Sequence, residues 1–241
     1  MWEQSTSWLS AAGRGRPPQA AARRAGLEDE EELLTSSIYG SQPGGLRAVK
    51  RPGYRRAMTL EPWAKAQVER LIAPLGERWA HVQAVARQAD QVATVLSAED
   101  GDVLVAAAFL HDVGYAPSLN RLGFHPVDGA HFLRDHGQER LACLVAHHSG
   151  ASFEAEERGL VDELAAFPVE DGPVMDALTF ADMTTGPAGQ PMTFNQRVDE
   201  ILRRYPPDDP VHRAIVRAQP LLQTAVERTW RRLNGGFGQP I

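Results

Sequence analysis

The adjacent residues His111 and Asp112 offer the clearest chemistry in the chain. They follow the apolar run 103–110 and precede Val113-Gly114, so they stand at the carboxyl end of a segment expected to be nearly buried. An imidazole beside a carboxylate can bind a divalent cation, and the two groups can orient each other. The pair alone also has a plainer explanation, because an Asp near a Gly ends ordinary helices and a buried His is often only hydrogen-bonded.

Further histidines and one aspartate support a metal site rather than the plainer explanation. These residues are His81, His125, His147, His148 and Asp182. A first ion with roughly octahedral preference would take His81 and Asp182 together with the His-Asp pair, leaving positions open for water. Asp112 can use one oxygen per ion, so a second ion could bind roughly 3.5 to 4 Å away. Such a pair of ions activates water near neutral pH and binds phosphate.

The paired histidines His147 and His148 would complete the second site with His125. Successive side chains on a helix diverge by about 100°, so the two rings cannot point the same way from a regular helix. At a helix end both can still reach a metal. If only one ligates, His148 is favoured, because Ser149-Gly150 lets the chain bend around it.

The elements that must position these residues are predicted to be helices. From residue 59 onward apolar residues recur at spacings of three and four, and no segment reads as a strand. The predicted fold is therefore an all-α helical bundle, with His125 at the N-cap of a helix that Pro126 begins. The predicted helices cover residues 59–73, 78–96, 97–110, 130–136, 139–146, 156–166, 174–183, 194–205 and 211–230.

Composition divides the chain into unlike parts. Residues 1–57 are net basic and without helical or alternating period, which predicts a disordered or mis-annotated N-terminal extension, with Met58 as the suspected start. Residues 58–234 are predicted to form the domain that carries the candidate metal ligands, and 235–241 a flexible tail. With 43% apolar residues in 241, the chain can bury a real core.

Composition also restricts the partners. The single cysteine, Cys143, excludes a disulfide framework and a Cys-rich zinc site, so nitrogen and oxygen must hold any metal. A net charge of −6 argues against a nucleic acid polymer as partner but not against a phosphorylated small molecule. No apolar run is long enough to cross a membrane and no secretory signal is evident, so a cytoplasmic location is expected. The sequence does not indicate an oligomeric state.

Five sequence elements occur in a fixed order over roughly residues 60–185: RWAHVQAVA, FLHDVGY, HPVDGAHFL, AHHSGA and FADMTTG. Together they resemble the HD-domain superfamily of metal-dependent phosphohydrolases. The His-Pro-x-x-Gly and paired-His elements are similar to those of its two-metal branch, which includes the HD-GYP cyclic dinucleotide phosphodiesterases. The resemblance implies His81, His111, Asp112 and Asp182 as first-site ligands, with His111 and Asp112 central to catalysis. It implies His125 and the pair 147/148 as second-site ligands.

The chain departs from the HD-GYP pattern at two places. Tyr115 replaces a Lys that meets phosphate, and Ser149-Gly150-Ala151 follows the paired His in place of Gly-Tyr-Pro. Cyclic dinucleotide hydrolysis is therefore not expected. The ligand set is also similar to that of the mixed-valent di-iron oxygenases related to myo-inositol oxygenase. A metal-stabilised regulatory module without catalysis is a third alternative.

The sequence therefore predicts hydrolysis of a small, nucleotide-like phosphate ester by one or two divalent ions. It does not distinguish Mn, Fe, Mg, Zn and Co. Tyr115 and, in the loop that follows it, Asn120 and Arg121 are the candidate substrate contacts, since Arg can bind two anionic oxygens at once. Residues 184–186, after Asp182, either shape the pocket or end a helix.

Overall fold

The computed structural model describes residues 60–235, so the predictions for residues 1–57 lie outside it, as does the tail except for residue 235. Over these residues the fold is all-α, as predicted, with no strand apart from an isolated bridge between Thr185 and Pro191. The helices are α1 (Leu60–Ile72), α2 (Glu77–Ala93), α3 (Ala98–Leu110), α4 (His125–Asp135), α5 (Glu139–His147), α6 (Ala151–Arg158), α7 (Val161–Ala165), α8 (Pro173–Met183), α9 (Phe194–Arg204) and α10 (Pro210–Leu233). Between residues 60 and 235 no helix combines the length and hydrophobicity needed to span a bilayer.

Helix α3 is the central helix of the bundle. Its N-terminus is capped by Ser97, whose hydroxyl accepts the amide hydrogen of Asp100 at 3.1 Å. Every residue from 103 to 110 is buried, and α3 packs against α1, α2, α5 and α8. An apolar helix surrounded in this way delivers the residues at its carboxyl end, His111 and Asp112, to the interior of the protein.

Helix α10 packs on α6, α8 and α9 and on the turn that carries His148. A buried carboxylate, Asp176 on α8, accepts hydrogen bonds from Arg228 at 2.6 and 2.9 Å and from Arg232 at 2.9 Å. Two guanidinium groups satisfy the charge of this carboxylate, which would otherwise be costly to bury. The contact fixes α8 against α10, and Asp182 lies on α8 less than two turns later.

Two predicted helix boundaries differ from the observed ones. Helix α4 begins at His125 itself with Phe124 as its N-cap, because Pro126 accommodates the first turn, and the predicted start at 130 was late. The single helix predicted over 156–166 is wrong. Two helices occupy the region, because Gly159 adopts a left-handed conformation (φ 69°) and its amide closes the end of α6 on main-chain carbonyls.

Candidate metal centre

Three histidines are held in one tautomer by main-chain carbonyls. His81, His111 and His148 are each buried, and each donates its Nδ1 hydrogen to such a carbonyl. The acceptors are Gly186 at 3.0 Å, Ala108 at 2.8 Å and Val145 at 2.6 Å, respectively. In its neutral form each ring therefore carries its lone pair on Nε2, which is the arrangement of histidines that bind metals.

The carboxylate of Asp112 lies between two groups of imidazoles. Its Oδ2 atom is 3.4 Å from Nε2 of His111 and 3.9 Å from Nε2 of His81. Its Oδ1 atom is 3.4 Å from Nε2 of His125, which is itself 3.3 Å from Nε2 of His148. Each oxygen of Asp112 thus serves a different group, as a carboxylate shared by two ions would.

Asp182 completes the first group from α8. Its Oδ1 atom lies 3.1 Å from Nε2 of His81, and its Oδ2 atom accepts a hydrogen bond of 2.5 Å from the hydroxyl of Ser149. Ser149 has φ 47°, a left-handed conformation that non-glycine residues rarely adopt. This bend directs His148 to one ligand group and the Ser149 hydroxyl to the other, so the strain serves the geometry of the site.

The arrangement of donors fits a divalent cation. The ligand atoms of His81, His111 and Asp112 all lie within 4.8 Å of one another, as do those of Asp112, His125 and His148. Nε2 of His111 is buried without a hydrogen-bond partner. Lone pairs and carboxylate oxygens that face one another repel unless positive charge lies between them.

Two pKa shifts also indicate that a positive charge is favoured beside the carboxylate of Asp112. Burial acts to lower the pKa of His111, but the neighbouring carboxylate of Asp112 outweighs it and raises that pKa to about 9. Burial acts to raise the pKa of Asp112, but Arg78 and the histidine hold it well below its ordinary value. The carboxylate is therefore ionised at neutral pH and available as a ligand.

Arg78 and Tyr115 cover one side of the cluster. Nη1 of Arg78 donates to Oδ2 of Asp112 at 2.7 Å, and its guanidinium lies 4.0 Å from the centre of the Tyr115 ring. The same ring stacks on His125 with 4.0 Å between centroids and 17° between planes. Sequence reasoning missed Arg78, although its position three residues before His81 on α2 places it on the same helix face.

The two ligand groups are joined by a contact between backbones. A Cβ atom on Gly114 would lie 2.0 Å from the carbonyl oxygen of His125 and 2.7 Å from the amide nitrogen of Gly129. Only glycine allows this approach. The turn after Asp112 and the first turn of α4 are therefore held at a fixed separation by main-chain atoms.

The cluster opens into a cavity of about 90 Å³. Beside the ligands this cavity is lined by Tyr115, Glu154, Arg197, Arg204 and Tyr205. A second cavity of about 380 Å³ shares Arg78, His81, Arg197 and Arg204 with the first, and Glu77, Pro187 and Glu200 complete its lining. Burial raises the pKa of Glu154, which favours its protonated form.

The structure does not bring three of the predicted site residues to the cluster. His147 is directed elsewhere, since its Nε2 atom binds the carbonyl oxygen of Phe167 at 2.7 Å. The side chain of Arg121 is 62% exposed, its Nη2 atom lies 3.6 Å from Oδ2 of Asp135, and it does not line the cavity. The side chain of Asn120 accepts the amide of Gly123 at 3.1 Å and closes the same loop.

Residues 184–186, after Asp182, both end helix α8 and help to shape the site, the two alternatives that the sequence left open. The hydroxyls of Thr184 and Thr185 donate hydrogen bonds to carbonyls of the last turn of α8, each at 2.7 Å. They therefore end the helix. The carbonyl of Gly186 instead orients His81. Neither this contact nor the placement of Arg197 and Glu154 leaves a local signal in the sequence, because each depends on helices packing from distant positions.

Fold and site together define a helical domain with a buried His/Asp centre suited to divalent metal. The HD domain family model matches residues 78–178, a stretch that contains His81, His111, Asp112, His125 and His148. This match agrees with the resemblance that the sequence elements indicated, and HD domains bind divalent metals. No curated protein and no solved structure matches the chain significantly. The match suggests phosphohydrolase-type chemistry that depends on metal.

Proposed function

We propose that the protein hydrolyses a small phosphate ester with two divalent cations, and that its substrate is a small molecule rather than a nucleic acid polymer. One observation carries the proposal: imidazole nitrogens from two groups of histidines converge on the two oxygens of Asp112. Asp112 divides its oxygens between the two groups, and two-ion sites of this kind are suited to in-line displacement at phosphorus.

The residues that would hold the ions fall into two sets with one shared member. The first set is His81, His111, Asp112 and Asp182, and the second is Asp112, His125 and His148. A divalent cation in such a site supplies Lewis acidity, which lowers the pKa of water and offsets negative charge on a phosphate.

The chain's own residues prepare the cavity for an anionic ester. Arg78 and Arg204 add positive charge to a lining that Asp112 and Asp182 would otherwise make acidic. Of the three carboxyl groups that line this cavity within residues 60–235, only Glu154 lies outside the ligand sets. Its carboxylate accepts a hydrogen bond from Nε of Arg158 at 2.6 Å, and this ion pair offsets its negative charge.

Cavity size bears on the substrate class. The 90 Å³ cavity beside the ligands admits little more than a phosphoryl group, whereas ligand pockets for small organic molecules span roughly 300 to 1,000 Å³. The adjoining cavity of about 380 Å³ falls in that range and would receive the organic part of the ester. A nucleotide-like ester, the class expected from the sequence, is the first to test.

Metal analysis of the purified protein followed by hydrolysis assays tests the proposal. We expect about two divalent ions per chain, and release of inorganic phosphate from members of a phosphomonoester and phosphodiester panel headed by nucleotides. Bound iron with dioxygen consumed in proportion to substrate would replace the hydrolase with an oxygenase. Binding of metal and phosphate esters without any turnover would identify a regulatory module instead.

A further inference from the structure

Arg197 is a buried cation at the site that lies outside the matched stretch 78–178. It belongs to α9, its exposed fraction is 6%, and it lines both the cavity beside the ligands and the larger adjoining one. Helix α9 begins with a complete capping box between Thr193 and Gln196, so the first turn of the helix, which carries Arg197, is well fixed.

One edge of the Arg197 guanidinium, formed by Nε and Nη2, has no hydrogen-bond acceptor in the described part of the protein. Its Nη1 atom donates to Glu200 at 2.5 Å. Its Nη2 atom is 3.9 Å from Oδ1 of Asp182, too far for a hydrogen bond, and its Nε atom is buried without any partner. A buried donor on a charged group is costly when it is left unpaired, so this edge calls for an acceptor.

The free edge has the geometry of an oxyanion-binding group. Nε and Nη2 of arginine lie side by side and can donate two parallel hydrogen bonds to two oxygens of one phosphate. Asp182 connects this edge to the first ligand group, since its Oδ1 atom also lies 3.1 Å from Nε2 of His81. An oxyanion bound to this edge would therefore sit beside the first metal position.

We infer that Arg197 binds the phosphoryl group of the substrate through its Nε and Nη2 atoms, beside the first ligand group. The inference rests on the proposed function, because it assigns a substrate contact to that same site. Helix α9, which lies C-terminal to the matched residues 78–178, would then contribute a residue that binds the substrate. Arg121, which the sequence favoured for this role, lies on an exposed loop instead.

A purely structural role for Arg197 makes a different prediction. Arg197 could serve only to fasten α9, through Glu200 on the same helix and through proximity to Asp182 on α8. In that case Glu200→Ala, which removes the acceptor of the Nη1 hydrogen bond, would weaken phosphate binding as much as Arg197→Gln does. If Arg197 binds phosphate, Glu200→Ala leaves Nε and Nη2 in place and phosphate binding is retained.

Calorimetric titration of the metal-loaded protein with inorganic phosphate tests the inference. We expect Arg197→Gln to weaken phosphate binding by about tenfold or more, with metal content and melting temperature close to those of the wild type. Arg203→Gln removes the same charge from an exposed position on the same helix and serves as the matched control. In hydrolysis assays Arg197→Gln should raise KM and lower kcat/KM, whereas Arg203→Gln should change neither.

Arg197→Lys covers the possibility that the glutamine variant does not fold. Lysine keeps the charge but cannot donate two parallel hydrogen bonds, so we expect weaker phosphate binding at unchanged metal content. Wild-type affinity for phosphate in Arg197→Lys or Arg197→Gln would overturn the inference and leave the proposed hydrolase intact. A metal-loaded wild-type protein that neither binds phosphate nor hydrolyses any ester would overturn both.

Discussion

The two ligand groups that share Asp112 are built differently. The first draws His81, His111 and Asp182 from α2, from the end of α3 and from α8, and all of these residues are less than 9% exposed. The second draws His125 from the start of α4 and His148 from a bend after α5. The first group is therefore held by helices packed in the core, and the second by a helix start and a strained turn.

This difference predicts unequal affinity for the two ions. Each histidine of the first group is oriented by a main-chain carbonyl, which leaves little freedom to lose when an ion binds. In the second group the carbonyl of Val145 orients His148 in the same way, but His125 is positioned by stacking on Tyr115, whose exposed fraction is 36%. Preorganised ligands bind metals more tightly, so we expect the first position to fill at lower metal concentration.

Asp112→Ala should have the largest effect, because it removes the only ligand that both groups share. We expect no tightly bound metal and a fall in hydrolysis of more than about a thousandfold, while circular dichroism shows the helices retained. Elemental analysis and a phosphate-release assay provide the measurements. Asp90→Ala, at an exposed position on α2, is the control. Retention of both ions by Asp112→Ala would contradict the shared role.

Substituting one histidine in each group compares the groups directly. His148→Ala should keep about one ion per chain, and His81→Ala less than one, because the second group binds weakly without the first. Elemental analysis after gel filtration gives the ratio. His147→Ala is the matched control, since it removes the neighbouring imidazole and should keep both ions. If His81→Ala kept more bound ions per chain than His148→Ala, the predicted difference in affinity would be refuted.

Tyr115→Leu should weaken only the second position. Loss of the stacked ring frees His125, and we expect the affinity for the second ion to fall by about tenfold while the first is unchanged. Titration of metal into chelator-treated protein resolves the two steps. Tyr115→Phe keeps the ring and should bind both ions as the wild type does; a loss of affinity equal to that of the leucine variant would assign the effect to the hydroxyl.

Arg121→Gln should have the smallest effect of these substitutions. The side chain is 62% exposed and 3.6 Å from Asp135, and exposed ion pairs contribute little. We expect KM to change by less than about twofold and both ions to remain bound. Steady-state kinetics provides the check, and a tenfold rise in KM would return this loop to the substrate site.

The sequence was most informative where the site is local. Apolar periodicity predicted α3, and the position of His111 and Asp112 at its end follows from that helix alone. The choice between His147 and His148 agrees with the bend at Ser149, which short polar and glycine residues permit. The N-cap of α4 was predicted at His125, one residue after the observed Phe124, because Pro126 occupies the second helical position and not the first.

The remaining parts of the site depend on contacts between distant segments. Gly186 orients His81 across 105 residues, and Arg197 reaches the cavity only because α9 packs beside α8. Neither residue stands in a pattern that distinguishes it from an ordinary loop glycine or helix arginine.

The backbone contact between Gly114 and His125 has a consequence for the loop that connects them. Its two ends are closed on each other by main-chain atoms, and Asp128 accepts the amide of Leu122 within it at 3.0 Å. A loop closed at its base tolerates changes of length at its tip, since each doubling costs only about 0.6 kcal/mol. Residues 117–121 are thus the place where inserted sequence is expected to leave the geometry of the ligand cluster as it is.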